Sequence, residues 1–145
     1  MFIFRGLQIV SLVLLFCSNT FADTLKDAGE ARRLTDRVMA KVGEGDIAAG
    51  LQLVKPVLVV PAPEFNSLLE QLKTRLPAMS KRFGKSIGYE FIREDKIGEN
   101  LLRIVQIHRF ENHAMRWSFY FYRGKNGWVL NTFKTDDDIK QLFPQ

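Results

Sequence analysis

Cysteine is nearly missing from this 145-residue chain: Cys17 is the single one, and it falls in an apolar leader. A disulfide within the chain is therefore excluded, and stability must come from packing. Dense charge of one sign is also lacking. The 21 basic and 16 acidic residues give a net charge of +5 without a run of five like charges. That leaves no electrostatic footprint for nucleic acid. Only two histidines occur, His108 and His113, and their spacing around a turn is poor for zinc or copper, so no metal site is expected. A Gly-x-Ser-x-Gly turn is absent, and Gly43, Gly45 and Gly50 follow no strand, so neither a nucleophile elbow nor a phosphate loop is indicated.

No apolar run reaches the roughly 20 residues that a spanning helix needs. The longest, Leu7–Phe16, follows Arg5 and leads through Ser18-Asn19-Thr20-Phe21 to Ala22. A positive start, a short apolar core and a small residue at the cut are what signal peptidase reads. Residues 1–22 are expected to be a cleaved signal peptide, with residues 23–145 forming one exported domain, periplasmic or secreted, without stable membrane insertion after cleavage. The length argues against an uncleaved anchor, and bulky Phe16 argues against lipid attachment at Cys17.

What is present divides into a helical half and a strand-rich half. Leu34, Val38, Met39 and Val42 recur at helical spacing beside Ala28 and Ala31, predicting an amphipathic helix over Leu25–Val42 that Gly43 and Gly45 close. Asp46 is expected to cap a short helix through Lys55, and Val57–Val60 reads as an edge strand or extended linker. Pro63-Glu64 opens a third helix on Phe65, Leu68, Leu69, Leu72 and Leu76, which Pro77 breaks or kinks. Strands follow at Tyr89–Arg93, Leu101–Phe110, Met115–Arg123 and Trp128–Lys134. Their short connectors, with the turn signal Asn126-Gly127, require an antiparallel meander. The expected fold class is α+β, N-terminal helices packed on a curved four-stranded antiparallel sheet.

With Asn112-His113 at a hairpin tip, Gln106 falls opposite Phe119 and Ile104 opposite Phe121. Alternation then sorts two faces. One carries Leu102, Ile104, Phe110, Met115, Trp117, Phe119, Phe121, Trp128 and Leu130, the seat for the helices. The other carries Val105, Ile107, Tyr120, Tyr122, Val129 and Phe133 among Arg103, Arg109, Arg116, Ser118 and Asn131. It is too apolar to face water alone. A second copy is the simplest cover, so a homodimer through Val105, Ile107, Tyr120, Tyr122 and Phe133 is expected, with the arginines at its rim.

Helices followed by an aromatic-rich curved sheet resemble the nuclear transport factor 2-like superfamily, a cone-shaped α+β (cystatin-like) fold. Phe83-Gly84-Lys85-Ser86-Ile87-Gly88-Tyr89-Glu90, the stretch Arg109–Trp117 and Phe119-Tyr120-Phe121-Tyr122 resemble small exported bacterial proteins of unknown function with that fold. The resemblance implies a cone with a pocket between helices and sheet, and frequent dimerisation through the sheet. Enzymes of that superfamily place an acid or a His–Asp pair in the cone. No such pattern matches here, so no catalytic residue and no cofactor are carried over.

His108 is the most informative single residue. A neutral imidazole there could serve as a base or as a ligand contact, but no acid shares its strand face to orient it. Asp136–Asp138 lack the glycine and distal glutamate of a calcium loop and suit a helix N-terminus instead. Glu90 and Glu94 are expected to pair with Arg103 across the strands. The favoured reading is a non-enzymatic module binding a small apolar or aromatic ligand, or another protein. Gln106, His108, Trp117, Phe119 and Phe121 would line its pocket. The rival is an enzyme using His108 with Tyr89 or Gln106 for proton transfer or hydration. The third reading is a scaffold whose cone its own helices fill.

Overall fold

The computed structural model describes residues 22–144. The signal segment expected over residues 1–22, Cys17 included, lies outside them except for Ala22.

Three helices precede four strands: α1 (Ala28–Gly43), α2 (Ile47–Gln52), α3 (Ala62–Phe83), β1 (Ser86–Ile97), β2 (Leu101–Phe110), β3 (Ala114–Gly124) and β4 (Gly127–Asp136), then a 3-10 turn at Ile139–Leu142. The strands form one antiparallel sheet in the order β1-β2-β3-β4, so the expected α+β class with helices on a four-stranded antiparallel sheet is present.

Boundaries moved for local reasons. Helix α1 starts three residues later than expected because Asp27 caps it, accepting from the Glu30 N–H at 2.8 Å. Leu25 instead exchanges two backbone hydrogen bonds with Trp128, both 2.8 Å, and so covers the outer edge of β4. Val57–Val59 continues that cover through a parallel bridge of Leu58 to Leu130. Pro77 does not end α3, which continues to Phe83. Strand β1 is more than twice the expected length, beginning at Ser86 and reaching Ile97.

The β2–β3 hairpin turns about Glu111-Asn112, one residue earlier than expected. Gln106 therefore stands opposite Trp117, and Ile104 opposite Phe119. This offset of two leaves the face assignment intact, since faces alternate with period two. A bulge between Tyr120 and Phe121 in the β3–β4 pairing does change it. Phe119 faces Phe133, and Phe133 lies parallel to Trp117, 6.3 Å between centroids. Phe133 thus belongs to the helix side, contrary to the dimer-face assignment, because the extra β4 residue inverts the alternation beyond it.

The core lies between that side and the helices. Val38, Met39, Val42, Leu51, Ile104, Phe119 and Leu130 are all fully buried. Helix α1 crosses β1 where Gly43 meets Gly88, and a Cβ on Gly43 would stand 2.8 Å from the Gly88 carbonyl carbon. Both atoms belong to backbone, so neither can yield cheaply. We expect Gly43→Ala to destabilise by about 1–3 kcal/mol, the usual cost of overpacking. A urea midpoint equal to wild type would show that the crossing is looser than described.

The other side of the sheet is partly covered by the chain itself. Arg93 Nη1 donates to the Leu142 carbonyl at 3.0 Å, which lays the C-terminal turn over Arg93, Arg103 and Arg116. Val105 and Ser118 are buried on this side. The ground expected for a second copy is thus shared with the C-terminus. Tyr122 stays exposed there, while Ile107 and Tyr120 are half-buried.

Candidate functional site

Helix α3 is anchored at Phe65, Leu69 and Leu72 and again at Phe83, but none of the residues between Leu72 and Phe83 is fully buried. A cavity flanks that half-helix on either side. One, about 420 Å³, lies between Leu76 and Met79 of α3, the α1–α2 turn at Glu44–Ile47, and Lys85, Ser86, His108 and Phe110 of the sheet. The other, about 440 Å³, runs between Leu72, Met79 and Phe83 and the β3–β4 end at Met115 and Thr135–Asp137. Met79 borders both.

His108 forms part of the wall of the first cavity and is 1 % exposed. Ser86 Oγ lies 2.6 Å from its Nε2, while Nδ1 has no partner. Whichever tautomer holds, one ring nitrogen is left unmatched, and a buried unmatched polar group costs about 1–3 kcal/mol. Burial pushes the imidazole down from 6.5 to about 4, so it is neutral at pH 7. Phe110 lies against the ring, 4.0 Å between centroids.

Gln106, two residues along on the same side, is wholly buried. Its Nε2 donates to Thr35 Oγ1 at 2.9 Å and Asp36 Oδ1 at 3.0 Å, while Oε1 is unmatched. Its cross-strand neighbour Trp117 leaves its indole N–H unmatched as well. Three orphan polar atoms thus share one side of two adjacent strands, and such groups call for an explanation in a folded protein.

Of the residues expected to line a pocket, His108 borders the α3 cavity. Gln106 is sealed against Thr35 and Asp36 of α1, Trp117 and Phe119 are buried in the core, and Phe121 borders a small 190 Å³ hollow near Leu101 and Tyr120. The residue that sequence reasoning missed is Ser86. It sits 22 positions before His108, ahead of the first expected strand, and strand pairing beside Phe110 brings it to the imidazole. Strict alternation counted back from Tyr89 puts Ser86 on the outer face with Gly88, and only the bulge at Ile87 turns it to the His108 side, so no periodic signal marks it.

The chemistry open to this pair is limited. A serine 2.6 Å from a histidine resembles a nucleophile with its base. Yet an imidazole held near 4 is a weak base at neutral pH, and with Nδ1 unpartnered no carboxylate orients it. Tyr89 lies directly across from His108 on β1 but is itself part-exposed. Among the described residues no group of three His, Cys, Asp or Glu side chains could hold a metal ion.

The expected ion pairs are rearranged. Arg103 and Arg93 both bind Asp95, at 2.8 and 3.2 Å, rather than Glu90 or Glu94. The bulge between Phe91 and Arg93 shifts the register and sets Asp95 opposite Arg103. The acidic run is divided: Asp136 binds Arg116 at 2.6 Å, Asp137 meets Arg82 at 3.4 Å, and Asp138 caps the 3-10 turn. His113 Nε2 lies 3.1 Å from the Asp137 carbonyl and its ring packs on Phe83.

No family model, curated protein or solved structure matches this chain.

Proposed function

We propose that this chain is an exported, non-enzymatic module that binds a small, mainly apolar ligand beneath the second half of α3. The nuclear transport factor 2-like cone is part of the same proposal. The observation that carries it is His108, a buried neutral imidazole with one unmatched nitrogen in the wall of a 420 Å³ cavity. Ligand sites pair apolar walls with a few fixed polar groups. Here Ile47, Leu76, Met79 and Phe110 supply apolar walls, Ser86 and His108 the polar pair, and Glu44, Ser80 and Lys85 the remaining polar lining. A hydroxyl or carbonyl on the ligand would match that pair without burying a charge.

A scaffold reading has its own support, since Gln106, Trp117 and Phe119 are already fully buried within the chain itself. The two part on one experiment. Native mass spectrometry of protein recovered from the periplasm should show a small-molecule adduct, and anilinonaphthalene sulfonate should bind the emptied protein. Met79→Trp, which fills the cavity, should weaken dye binding about tenfold, or 1.4 kcal/mol. A bare protein whose dye binding is absent, or is unmoved by that substitution, would leave the scaffold.

A further inference from the structure

The two edges of the sheet are treated differently. The β4 edge is covered from within by Leu25 and by Val57–Val59. The β1 edge has no such cover: among the described residues β1 pairs with β2 alone. It is 12 residues long, about twice a usual strand. Ile87, Tyr89 and Ile97 along it are 49 %, 36 % and 72 % exposed. An edge of this length, with free N–H and C=O groups, is a template for another strand.

We propose that the β1 edge pairs antiparallel with β1 of a second copy of this chain, joining two sheets into one of eight strands. The charges along β1 name the occupant. Full overlap sets Ser86 against the partner's Ile97, and it maximises main-chain hydrogen bonds. The same register sets Glu90 opposite the partner's Arg93, and by two-fold symmetry does so twice. Glu90 and Arg93 both lie on the side of the sheet away from the helices, opposite Ile107 and Val105 of β2. Directly opposed unlike charges on one face stabilise a strand pair, and like charges oppose it. Tyr89 meets the partner's Glu94, and Ile87 lies along the stem of the partner's Lys96, so no like charges are opposed. Shifting the register by one residue, to set Ile92 on the axis, would part Glu90 from the partner's Arg93 and set it against the partner's Glu94, which lies on the other face, so both charge pairs would be lost. Bulges at Ile87 and Ile92 bend the edge and discourage flat foreign strands. A second copy carries the same bends.

Sedimentation equilibrium of the full mature protein should give twice the monomer mass. Glu90→Arg keeps Arg93 and its contacts but sets two arginine pairs across the axis, and should raise the dimer dissociation constant at least tenfold. Amide exchange on wild type gives a reading that needs no variant: β1 amides should gain protection as concentration rises. A monomeric wild type, a Glu90→Arg protein that dimerises as tightly as wild type, or β1 exchange independent of concentration would each overturn the proposal.

Discussion

Lowering the pH from 7 to 4 is expected to cost about 3 kcal/mol of stability through His108 alone, and His108→Gln is expected to remove that loss. The imidazole titrates near 6.5 in the unfolded chain and at about 4 in the folded one, because burial disfavours its charged form. Between those values the unfolded chain holds a proton that the folded chain does not. Stability therefore begins to fall as pH drops through 6.5, keeps falling to about 4, and gains no further slope from this group below that. Asp95 acts in the same direction but in a lower window. Burial alone would raise it, but Arg103 and Arg93 hold it below its ordinary 3.8, so its contribution fades only in stronger acid. The two windows barely overlap, which isolates His108 in the range above pH 4. Gln is the variant of choice because its amide nitrogen can occupy the place of Nε2 beside Ser86 while carrying no titratable proton. Urea unfolding at pH 7 and pH 4 measures both proteins. Equal acid sensitivity in wild type and His108→Gln would mean that His108 is hydrated and ionises freely.

Much of this arrangement was legible in the sequence, and the exceptions share a cause. Strand alternation placed Ile104, Trp117, Phe119 and Leu130 on the helix side even though the assumed register was offset, because an offset of two preserves faces. Helical spacing placed Leu34, Val38, Met39 and Val42 in the core, where they are buried. Phe133 was misplaced because one bulge near Phe121 inverts the alternation, and no residue type there announces it. The Ser86–His108 contact and the Gln106–Asp36 contact join residues 22 and 70 positions apart. Periodicity reports which way a side chain faces and not what faces it. The cover of the outer side by Leu142 was hidden for a similar reason: it rests on a backbone carbonyl reached by Arg93.

Phe119→Ala is expected to be the most damaging single substitution, at about 3–5 kcal/mol, a large part of the 5–15 kcal/mol that holds a domain of this size. Phe119 is wholly buried, opposite Ile104 on β2 and Phe133 on β4, with the Trp117 ring 6.1 Å away. Its neighbours are fixed by strand pairing, so the sheet cannot collapse into the space, and the cavity term adds to the lost transfer energy. Phe133→Lys supplies the companion measurement, because it tests the bulge that carries Phe133 inward. On the helix side a lysine would push its charge toward Trp117 and Phe119 and destabilise by about 2 kcal/mol or more. On the outer side, among arginines and solvent, it would change stability by no more than about 0.5 kcal/mol. Urea midpoints near wild type for both variants would place the core elsewhere. A severe Phe119→Ala with a neutral Phe133→Lys would keep the core and remove the bulge.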